Sequence, residues 1–222
     1  MTPVITVDGP SGAGKGTICQ KVADNLGWHI LDSGSLYRLT ALAATQDSAN
    51  FTDETLIGEI ARQLDVVFES TDNGLKILLR GEDATEAIRK EEMGMAASKI
   101  ASINLVRDAL LERQRVFAKM PGLVADGRDM GTTVFPNAKL KVFMTASCEE
   151  RAKRRYNQLK EKGISANLAA LVTDLTVRDE QDANRAVSPL KPADDAIMLD
   201  TTEMSIDQVT EKVLELAKQR FK

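Results

Sequence analysis

The chain has 222 residues, enough for one good hydrophobic core or for one domain that carries inserted segments. Its net charge of −4 and isoelectric point of about 5.2 argue against a dedicated nucleic-acid-binding surface, and its two cysteines argue against a disulfide framework or a structural zinc site. No apolar run approaches the length of a membrane span, and the first strand begins at once, without a basic or apolar leader, so we expect a cytoplasmic protein.

The first predicted strand, over residues 4–7, leads into the glycine-rich segment GPSGAGKGT at residues 9–17. The spacing of Gly9, Gly14 and Lys15 is that of a P-loop. In such a loop the backbone N–H groups, the positive end of the following helix and the lysine ammonium converge on one point. We therefore expect this segment to bind the phosphates of a nucleotide.

One position departs from the usual P-loop pattern. Gly16 lies where Ser or Thr is usual, and the hydroxyl group follows one residue later at Thr17. The sequence thus leaves open whether this hydroxyl binds magnesium. The alternative to phosphate binding is a turn that only closes a strand–helix unit, with Lys15 as its cap, but the combination of strand, spacing and lysine favours the P-loop.

The second predicted strand, over residues 28–31, ends in the sequence DSGSLYR at residues 32–38. We interpret this sequence as a short polar turn that leads into a helix. Ligands of open α/β sheets bind at the carboxyl ends of the strands, so Ser33, Tyr37 and Arg38 are expected near a ligand. Arg38 could hold a second anion or could simply lie on a solvated helix face.

The middle of the chain departs from the strand–helix alternation. Residues 65–70 and 75–80 are both β-like and are separated by TDNG, a hairpin signal. Short helical segments follow between residues 83 and 99. We interpret residues 65–98 as a small module inserted into the main fold.

Two longer helices are predicted on either side of this module. The first covers residues 52–64, with Thr52 or Asp53 as its N-cap. The second covers residues 104–120 and is amphipathic. Its expected core contacts are Leu105, Ala109, Leu111 and Val116.

A short strand over residues 123–125 delivers Asp126 into the sequence GRDMGT at residues 127–132. An acidic residue at the end of an apolar strand, in a chain with a P-loop, is a candidate for organising magnesium. Arg128 and Asp129 follow within a glycine-flanked turn, where side chains can reach a ligand. The alternative is a salt-bridged surface turn.

Two helices that carry clustered arginines follow the next strand. A capping box of Ser147 and Glu150 starts the first helix, and the second begins near residue 167. The residues that share a helix face are Arg151, Arg154 and Arg155 on the first helix and Arg178, Asp182 and Arg185 on the second. Such a pair is typical of a lid that closes over phosphates and excludes water, although a surface ion-pair ladder has the same spacing.

The main frame contains five predicted strands, near residues 4, 28, 123, 140 and 197, with helices between them. This pattern predicts an α/β fold with a parallel sheet that helices cover on both faces. A final helix begins near residue 206, with Ser205 and Gln208 as its cap. The single histidine, His29, lies in a strand and is expected to be structural. Phosphoryl transfer fits this inventory, because it needs positioning and charge neutralisation more than a strong base.

Four segments taken together resemble the bacterial cytidylate kinases, a family of nucleoside monophosphate kinases. They are GPSGAGKGT at residues 9–17, DSGSLYR at 32–38, DGRDMGT at 126–132 and RDEQDANR at 178–185. The resemblance extends over essentially the whole chain, and the departure from the usual P-loop is the family's own form. It implies phosphorylation of CMP, and of dCMP, to the diphosphate, with ATP as donor and Mg²⁺ as cofactor.

The resemblance also implies a division of the chain. The core P-loop domain would comprise residues 1–64, 99–150 and 186–222. Residues 65–98 would form an inserted, hairpin-containing module that binds the monophosphate, and residues 151–185 would form a helical lid.

Individual roles follow from the same resemblance. The ATP-binding residues would be Gly9, Pro10, Ser11, Gly12, Ala13, Gly14, Lys15, Gly16 and Thr17. The CMP-binding residues would be Ser33, Tyr37, Arg38, Ser98, Arg107, Arg128, Asp129, Arg178, Asp182 and Arg185. The catalytic residues would be Lys15, Arg128, Arg151, Arg155 and Arg185. Magnesium would bind mainly through the ATP phosphates, with Asp126 and Thr17 contributing.

Within the CMP set, cytosine would be read by Ser98, Arg107 and Asp129. A carboxylate can accept a hydrogen bond from the exocyclic amine of cytosine, whereas uracil presents a carbonyl there. Arg178 and Asp182 would hold the sugar hydroxyls.

Three other functions remain open at this point. One is a kinase of another small acceptor, such as an adenylate or shikimate kinase, which DGRDMGT and the hairpin disfavour. The second is a P-loop regulatory switch, and the third is nucleic-acid binding through residues 151–155, which the acidic composition disfavours. We expect small-molecule substrates, no nucleic-acid or membrane partner, and a monomer, because no helix shows a surplus apolar stripe.

Overall fold

The computed structural model describes residues 2–71, 74–161 and 163–221. These residues form two compact units. The first, which we call the core unit, comprises Met1–Asp32 and Arg115–Lys222, and the second, the inserted unit, comprises Ser33–Gln114. The predicted module of residues 65–98 lies inside the inserted unit.

The main elements follow in chain order. The strands are β1 (Val4–Asp8), β2 (His29–Asp32), β3 (Val66–Thr71), β4 (Gly74–Leu79), β5 (Glu82–Asp83), β6 (Leu123–Gly127), β7 (Leu140–Thr145) and β8 (Ile197–Asp200). The α-helices are α1 (Lys15–Leu26), α2 (Ser33–Gln46), α3 (Glu54–Arg62), α4 (Glu91–Ile100), α5 (Asn104–Arg115), α6 (Cys148–Glu161), α7 (Leu168–Ala183) and α8 (Ile206–Arg220). A 3₁₀ turn at Ala87–Arg89 and a π turn at Met130–Val134 complete them.

The core unit is built on a five-stranded parallel sheet with the strand order β2-β6-β1-β7-β8. This confirms the five strands predicted for the main frame. Every residue of β1 and β6 is buried, as expected for central strands of a parallel sheet that is covered on both faces. In register, Asp8 lies opposite Gly127 and Asp32 lies opposite Asp126. The segments that follow β1 and β6 therefore begin side by side at one edge of the sheet.

Helices α1 and α8 pack on one face of this sheet. Their buried side chains join Ile5 and Val7 of β1 in a single hydrophobic cluster. Gly27 ends α1 in the left-handed conformation, and the predicted capping box of Ser205 and Gln208 is present at the start of α8. Among the described residues, no helix combines the length and the apolar character needed to cross a membrane.

Helices α6 and α7 also belong to the core unit. They pack together through Ala152 of α6 and Leu171 and Leu175 of α7. The backbone N–H of Glu150 donates to the Ser147 hydroxyl, which is one half of the predicted capping box. The expected end of this helix at Lys162 lies outside the described residues.

The inserted unit contains the predicted hairpin. Strands β3 and β4 pair antiparallel, and β5 adds a short third strand that the sequence analysis did not predict. The turn residues Asp72 and Asn73 lie outside the described residues. Helix α2 packs on α3 and α4, and Asp53 caps α3 by accepting a hydrogen bond from the N–H of Leu56.

The predicted polar turn after the second strand is wrong. Strand β2 ends at Asp32 and α2 begins at the next residue, Ser33. The N–H groups of a first helical turn have no intrahelical partner, so small residues such as Ser33 and Gly34 are tolerated there. Ser33 is consequently a buried helix residue rather than a loop residue.

The predicted face and end of the helix at residues 104–120 are also wrong. Helix α5 ends at Arg115, and the residues that it buries are Val106, Arg107, Leu110 and Gln114. Leu105 and Val116 are instead 39% and 63% exposed. The prediction counted only apolar residues as buried. It therefore chose the wrong face of α5, because two of the buried positions, Arg107 and Gln114, carry polar side chains.

Gly122 precedes β6 and provides a test of the packing in the core unit. A Cβ atom at this position would lie 2.3 Å from the Trp28 ring, which packs edge-on against Phe221. We expect Gly122→Ala to displace the ring and to lower the free energy of unfolding by about 1–3 kcal/mol. Trp28 is the only tryptophan, so urea unfolding followed by fluorescence measures both effects. Met120→Ala, at a side chain that is 70% exposed, is the control, and an unchanged midpoint and emission in Gly122→Ala would contradict this packing.

Candidate active site

The P-loop connects β1 to α1, and its glycines are required by geometry. Gly9 has a φ of 150°, and a Cβ atom there would lie only 2.1 Å from the carbonyl oxygen of Met144. Gly12 has a φ of 76°, in the left-handed region that favours glycine. Because α1 begins at Lys15, the unpaired N–H groups and the positive end of this helix face the end of the loop. The strand, the glycine-rich turn and the helix start that the sequence predicts for a P-loop are therefore present.

Lys15 is buried in this loop. Its ammonium group donates to the carbonyl oxygen of Pro10 at 2.9 Å and lies 3.7 Å from Oδ1 of Asp126. Burial and the nearby Arg128 together lower the pKa of Lys15 to about 8, against the attraction of Asp126. A bound phosphate would add negative charge beside this lysine and favour its charged form.

Asp126 and Thr17 are the predicted magnesium ligands. Asp126 lies in β6 between Val7 and Asp32 of the neighbouring strands, and its side chain is 12% exposed. Thr17 is exposed in the first turn of α1. No group of three or more His, Cys, Asp or Glu residues that could hold a metal occurs in the described part of the chain. Asp126 and Thr17 carry oxygen atoms, the ligands that magnesium prefers.

Asp8 was not predicted as a site residue, although it follows an apolar run in β1 as Asp126 follows residues 123–125 in β6. Its two carboxylate oxygens accept hydrogen bonds from the backbone N–H groups of Met130 and Gly131, each at 2.8 Å. Burial raises the pKa of Asp8 to about 7; the two N–H groups oppose this shift and the nearby Asp129 adds to it. Asp8 thus fixes the backbone that follows Arg128 and Asp129.

Arg128 and Asp129 lie in the turn after β6. Asp129 is buried, and its carbonyl oxygen accepts hydrogen bonds from the N–H groups of Thr133 and Val134. Nε of Arg128 donates to Asp182 at 2.9 Å, and the Asp182 side chain is 4% exposed. Burial disfavours the charged form of Arg128, but Asp182 outweighs it and raises its pKa. The Asp182 side of this ion pair is therefore buried and the Arg128 side chain is 21% exposed, unlike the surface turn considered as an alternative.

The predicted helical stripe is wrong at Arg185, because α7 ends at Ala183 and Arg185 follows it, although Arg185 still lies close to Asp182. Asp182 accepts from Arg128, and its Oδ1 lies 3.6 Å from Nη2 of Arg185. Burial raises the pKa of Asp182, but the positive charges of Arg128, Arg185 and Arg178 outweigh this effect, so its pKa lies below the ordinary value. One carboxylate thus orders several cations at the C-terminal end of α7.

The three arginines on α6 have different surroundings. Arg151 is buried and donates to the carbonyl oxygen of Ser11 in the P-loop. Arg154 donates to the carbonyl oxygen of Thr201, and Nη1 of Arg155 lies 3.5 Å from the side-chain oxygen of Gln158 on its own helix. The bond from Arg151 to Ser11 therefore connects α6 to the P-loop.

The inserted unit holds the remaining predicted CMP-binding residues. Ser33, Tyr37, Ser98 and Arg107 are all buried. The Arg107 guanidinium lies 6.0 Å from the centre of the Tyr37 ring, within the range of a cation–π contact. Arg38 donates to the carbonyl oxygen of Ile88 at 3.1 Å.

Comparison with known proteins identifies the family. The family model described as Cytidylate kinase matches residues 5–219. The chain belongs to the cytidylate kinase family. It is 58% identical over 214 residues to a cytidylate kinase from Pseudomonas syringae pv. tomato, covering 96% of this chain and 93% of that protein. It is 56% identical over 208 residues to a cytidylate kinase from Photobacterium profundum, covering 94% and 91%.

Solved structures of small-molecule kinases are also similar to the chain. One is a gluconokinase from Sinorhizobium meliloti 1021, with a TM-score of 0.48 and 14% identity over 99% of this chain and 94% of that one.

Membership of the cytidylate kinase family confirms the resemblance inferred from the four sequence segments. A regulatory switch or a kinase of another small acceptor is not favoured.

The raised pKa of Asp8 predicts a specific dependence of stability on pH. Between pH 4 and 7 the folded protein keeps a proton on Asp8 that the unfolded chain has lost. Binding of this proton stabilises the folded state at low pH, and the stabilisation is lost as the pH rises. We expect the difference in unfolding free energy between wild type and Asp8→Asn to fall over this range by on the order of 3–4 kcal/mol.

Urea unfolding of both proteins at several pH values measures this difference. Asp207→Asn, at a side chain that is 88% exposed, controls for the change in net charge. A difference between wild type and Asp8→Asn that stays constant from pH 4 to 7 would contradict the assignment.

Proposed function

We propose that the chain transfers the γ-phosphoryl group of ATP to CMP and dCMP. The observation that carries the proposal is the pairing of two cationic sites at one edge of the parallel sheet. The P-loop with Lys15 follows β1, and the turn with Arg128 follows β6. Asp8 hydrogen-bonds across from the first strand to the second turn. Two phosphate groups can be held there at once, as phosphoryl transfer requires.

The donor half of the site is the P-loop. Its N–H groups and Lys15 would bind the ATP phosphates, and Thr17 would assist. Magnesium would be held mainly by these phosphates, with oxygens of Asp126 and Thr17 contributing, and would neutralise their negative charge. Arg155 is proposed to neutralise charge on the transferring group, a role that the resemblance also gives to Arg151.

The proposed CMP-binding residues of the acceptor half are those that the resemblance implies. In the inserted unit the proposed CMP-binding residues are Ser33, Tyr37, Arg38, Ser98 and Arg107, and in the core unit they are Arg128, Asp129, Arg178, Asp182 and Arg185. The phosphate of CMP is already ionised near neutral pH, so the acceptor needs no general base. Asp129 would accept a hydrogen bond from the cytosine amine and repel the carbonyl of uracil.

We further propose the division of labour that the resemblance implies. Residues 1–64, 99–150 and 186–222 would form the core domain, residues 65–98 would bind the monophosphate, and residues 151–185 would close over the phosphates as a lid. The protein is proposed to act as a cytoplasmic monomer, without a nucleic-acid or membrane partner.

Initial rates of diphosphate formation test the activity. The acceptors are CMP, dCMP, UMP, AMP, GMP and shikimate, with magnesium–ATP as donor. We expect CMP to exceed UMP in kcat/KM by at least about 100-fold, since the site pairs with the cytosine amine. Lys15→Ala should lower kcat/KM for CMP by about 100- to 1,000-fold. Binding of ATP without transfer to any acceptor would favour a regulatory switch instead.

A second variant tests base recognition. Asp129→Ala should lower kcat/KM for CMP by about 100-fold or more while the KM for ATP changes little, because only the acceptor loses a partner. Asp194→Ala, an exposed loop position in the same unit, is the matched control. Unchanged CMP kinetics in Asp129→Ala would rule out this role.

A further inference from the structure

Arg151 occupies an unusual place for a helix-face arginine. Its side chain is only 4% exposed. Nη1 donates to the carbonyl oxygen of Ser11 at 2.7 Å, and Nε donates to the carbonyl oxygen of Ala146 at 3.0 Å. The guanidinium group is thus held between the start of α6 and the P-loop.

Asp179 on α7 completes this arrangement. Its carboxylate accepts hydrogen bonds from Nη1 and Nη2 of Arg151, the first at 3.1 Å, in a two-pronged ion pair. The Asp179 side chain is 28% exposed and therefore shields one side of a buried cation. Removing the carboxylate would leave that charge poorly compensated, which is costly in a buried position.

Side-chain packing reinforces the polar contacts at the same place. A Cβ atom built on Gly12 would lie 3.3 Å from Cβ of Arg151 and 3.7 Å from Cδ2 of Leu175. The outermost part of the P-loop therefore lies directly against α6 and α7. A change in the Arg151 guanidinium would consequently be felt by the loop backbone.

The hydrogen bond to Ser11 has a consequence for phosphate binding. In a planar trans peptide the C=O and N–H groups point in opposite directions. When Arg151 holds the Ser11 carbonyl group, the N–H group of Gly12 must point away from Arg151. P-loops bind phosphate through N–H groups that converge, so this bond selects one of the orientations that the peptide could adopt.

We propose that Asp179 is a positioning residue of the donor site. It orients Arg151, and Arg151 holds the Ser11–Gly12 peptide in its phosphate-binding orientation. Neither side chain needs to touch the transferring phosphoryl group for this role. The inference rests on the proposed function only in its donor half, the binding of ATP by the P-loop.

The test measures binding of magnesium–ATP by calorimetry without CMP, and binding of CMP without ATP. Asp179→Ala should weaken ATP binding by about 10- to 100-fold, the effect of losing one charge-assisted hydrogen-bonded partner, and should change CMP binding by less than about twofold. Asp179→Asn, which keeps the shape of the side chain and one acceptor, should lie between wild type and Asp179→Ala.

Two further variants separate positioning from a general structural effect. Glu180→Gln changes the charge of the next, exposed residue on α7 and should leave both affinities unchanged. Arg151→Lys should weaken ATP binding as Asp179→Ala does, and the double variant should be no weaker than the worse single variant, because both act through one contact. Circular dichroism and thermal unfolding check that Asp179→Asn folds.

Unchanged ATP affinity in folded Asp179→Asn and Asp179→Ala would overturn the proposal, as would equal losses for ATP and CMP. A fall in kcat with unchanged ATP affinity would also overturn it, and would instead assign Arg151 to the phosphoryl group. If the wild type binds ATP but transfers no phosphate to CMP, the proposed function fails. The effect of Asp179 on ATP affinity would then still decide this inference.

Discussion

The two hydrogen bonds that the Asp8 carboxylate accepts from the backbone of Met130 and Gly131 are the constraint on which the site depends. Asp8 ends the strand that leads into the P-loop, and the two N–H groups belong to the segment after Arg128 and Asp129. A parallel sheet brings the two strand ends to one edge, but it does not fix the loops that leave them. One buried carboxylate supplies that link.

The charges around this link are arranged in pairs along α7. Asp179 pairs with Arg151, which contacts the P-loop, and Asp182 pairs with Arg128, which follows β6. Lys15 lacks an equally close partner: its nearest carboxylate oxygen, on Asp126, lies 3.7 Å away, and its pKa is lowered. Lys15 is therefore the cation beside which a bound phosphate would add the most negative charge. Such preorganised charge accounts for much of the catalytic power of enzymes that transfer charged groups.

The sequence predicted the features that depend on short stretches of chain. The P-loop, the five parallel strands and the cap at Ser205 each have a local signal in composition or spacing. The predicted start of α2 and the predicted buried face of α5 were wrong, because tertiary packing buries polar residues such as Ser33 and Gln114.

Asp8 and Asp179 were missed for a related reason. Their importance comes from partners far along the chain, namely Met130 and Gly131 for Asp8, and Arg151 for Asp179. The position of Asp8 at a strand end, like that of Asp126, was a usable signal. Asp179 gave a weaker signal in the sequence, because the helical spacing favoured the set of residues that contains Asp182. The roles of the predicted substrate-binding residues stay predictions.

Donor and acceptor phosphates are proposed to bind together at one edge of the sheet. Calorimetric titration with adenosine and cytidine joined by a five-phosphate bridge tests this most directly. We expect one molecule to bind per chain and either ATP or CMP alone to displace it. Binding of two molecules per chain, or displacement by only one of the two nucleotides, would contradict it.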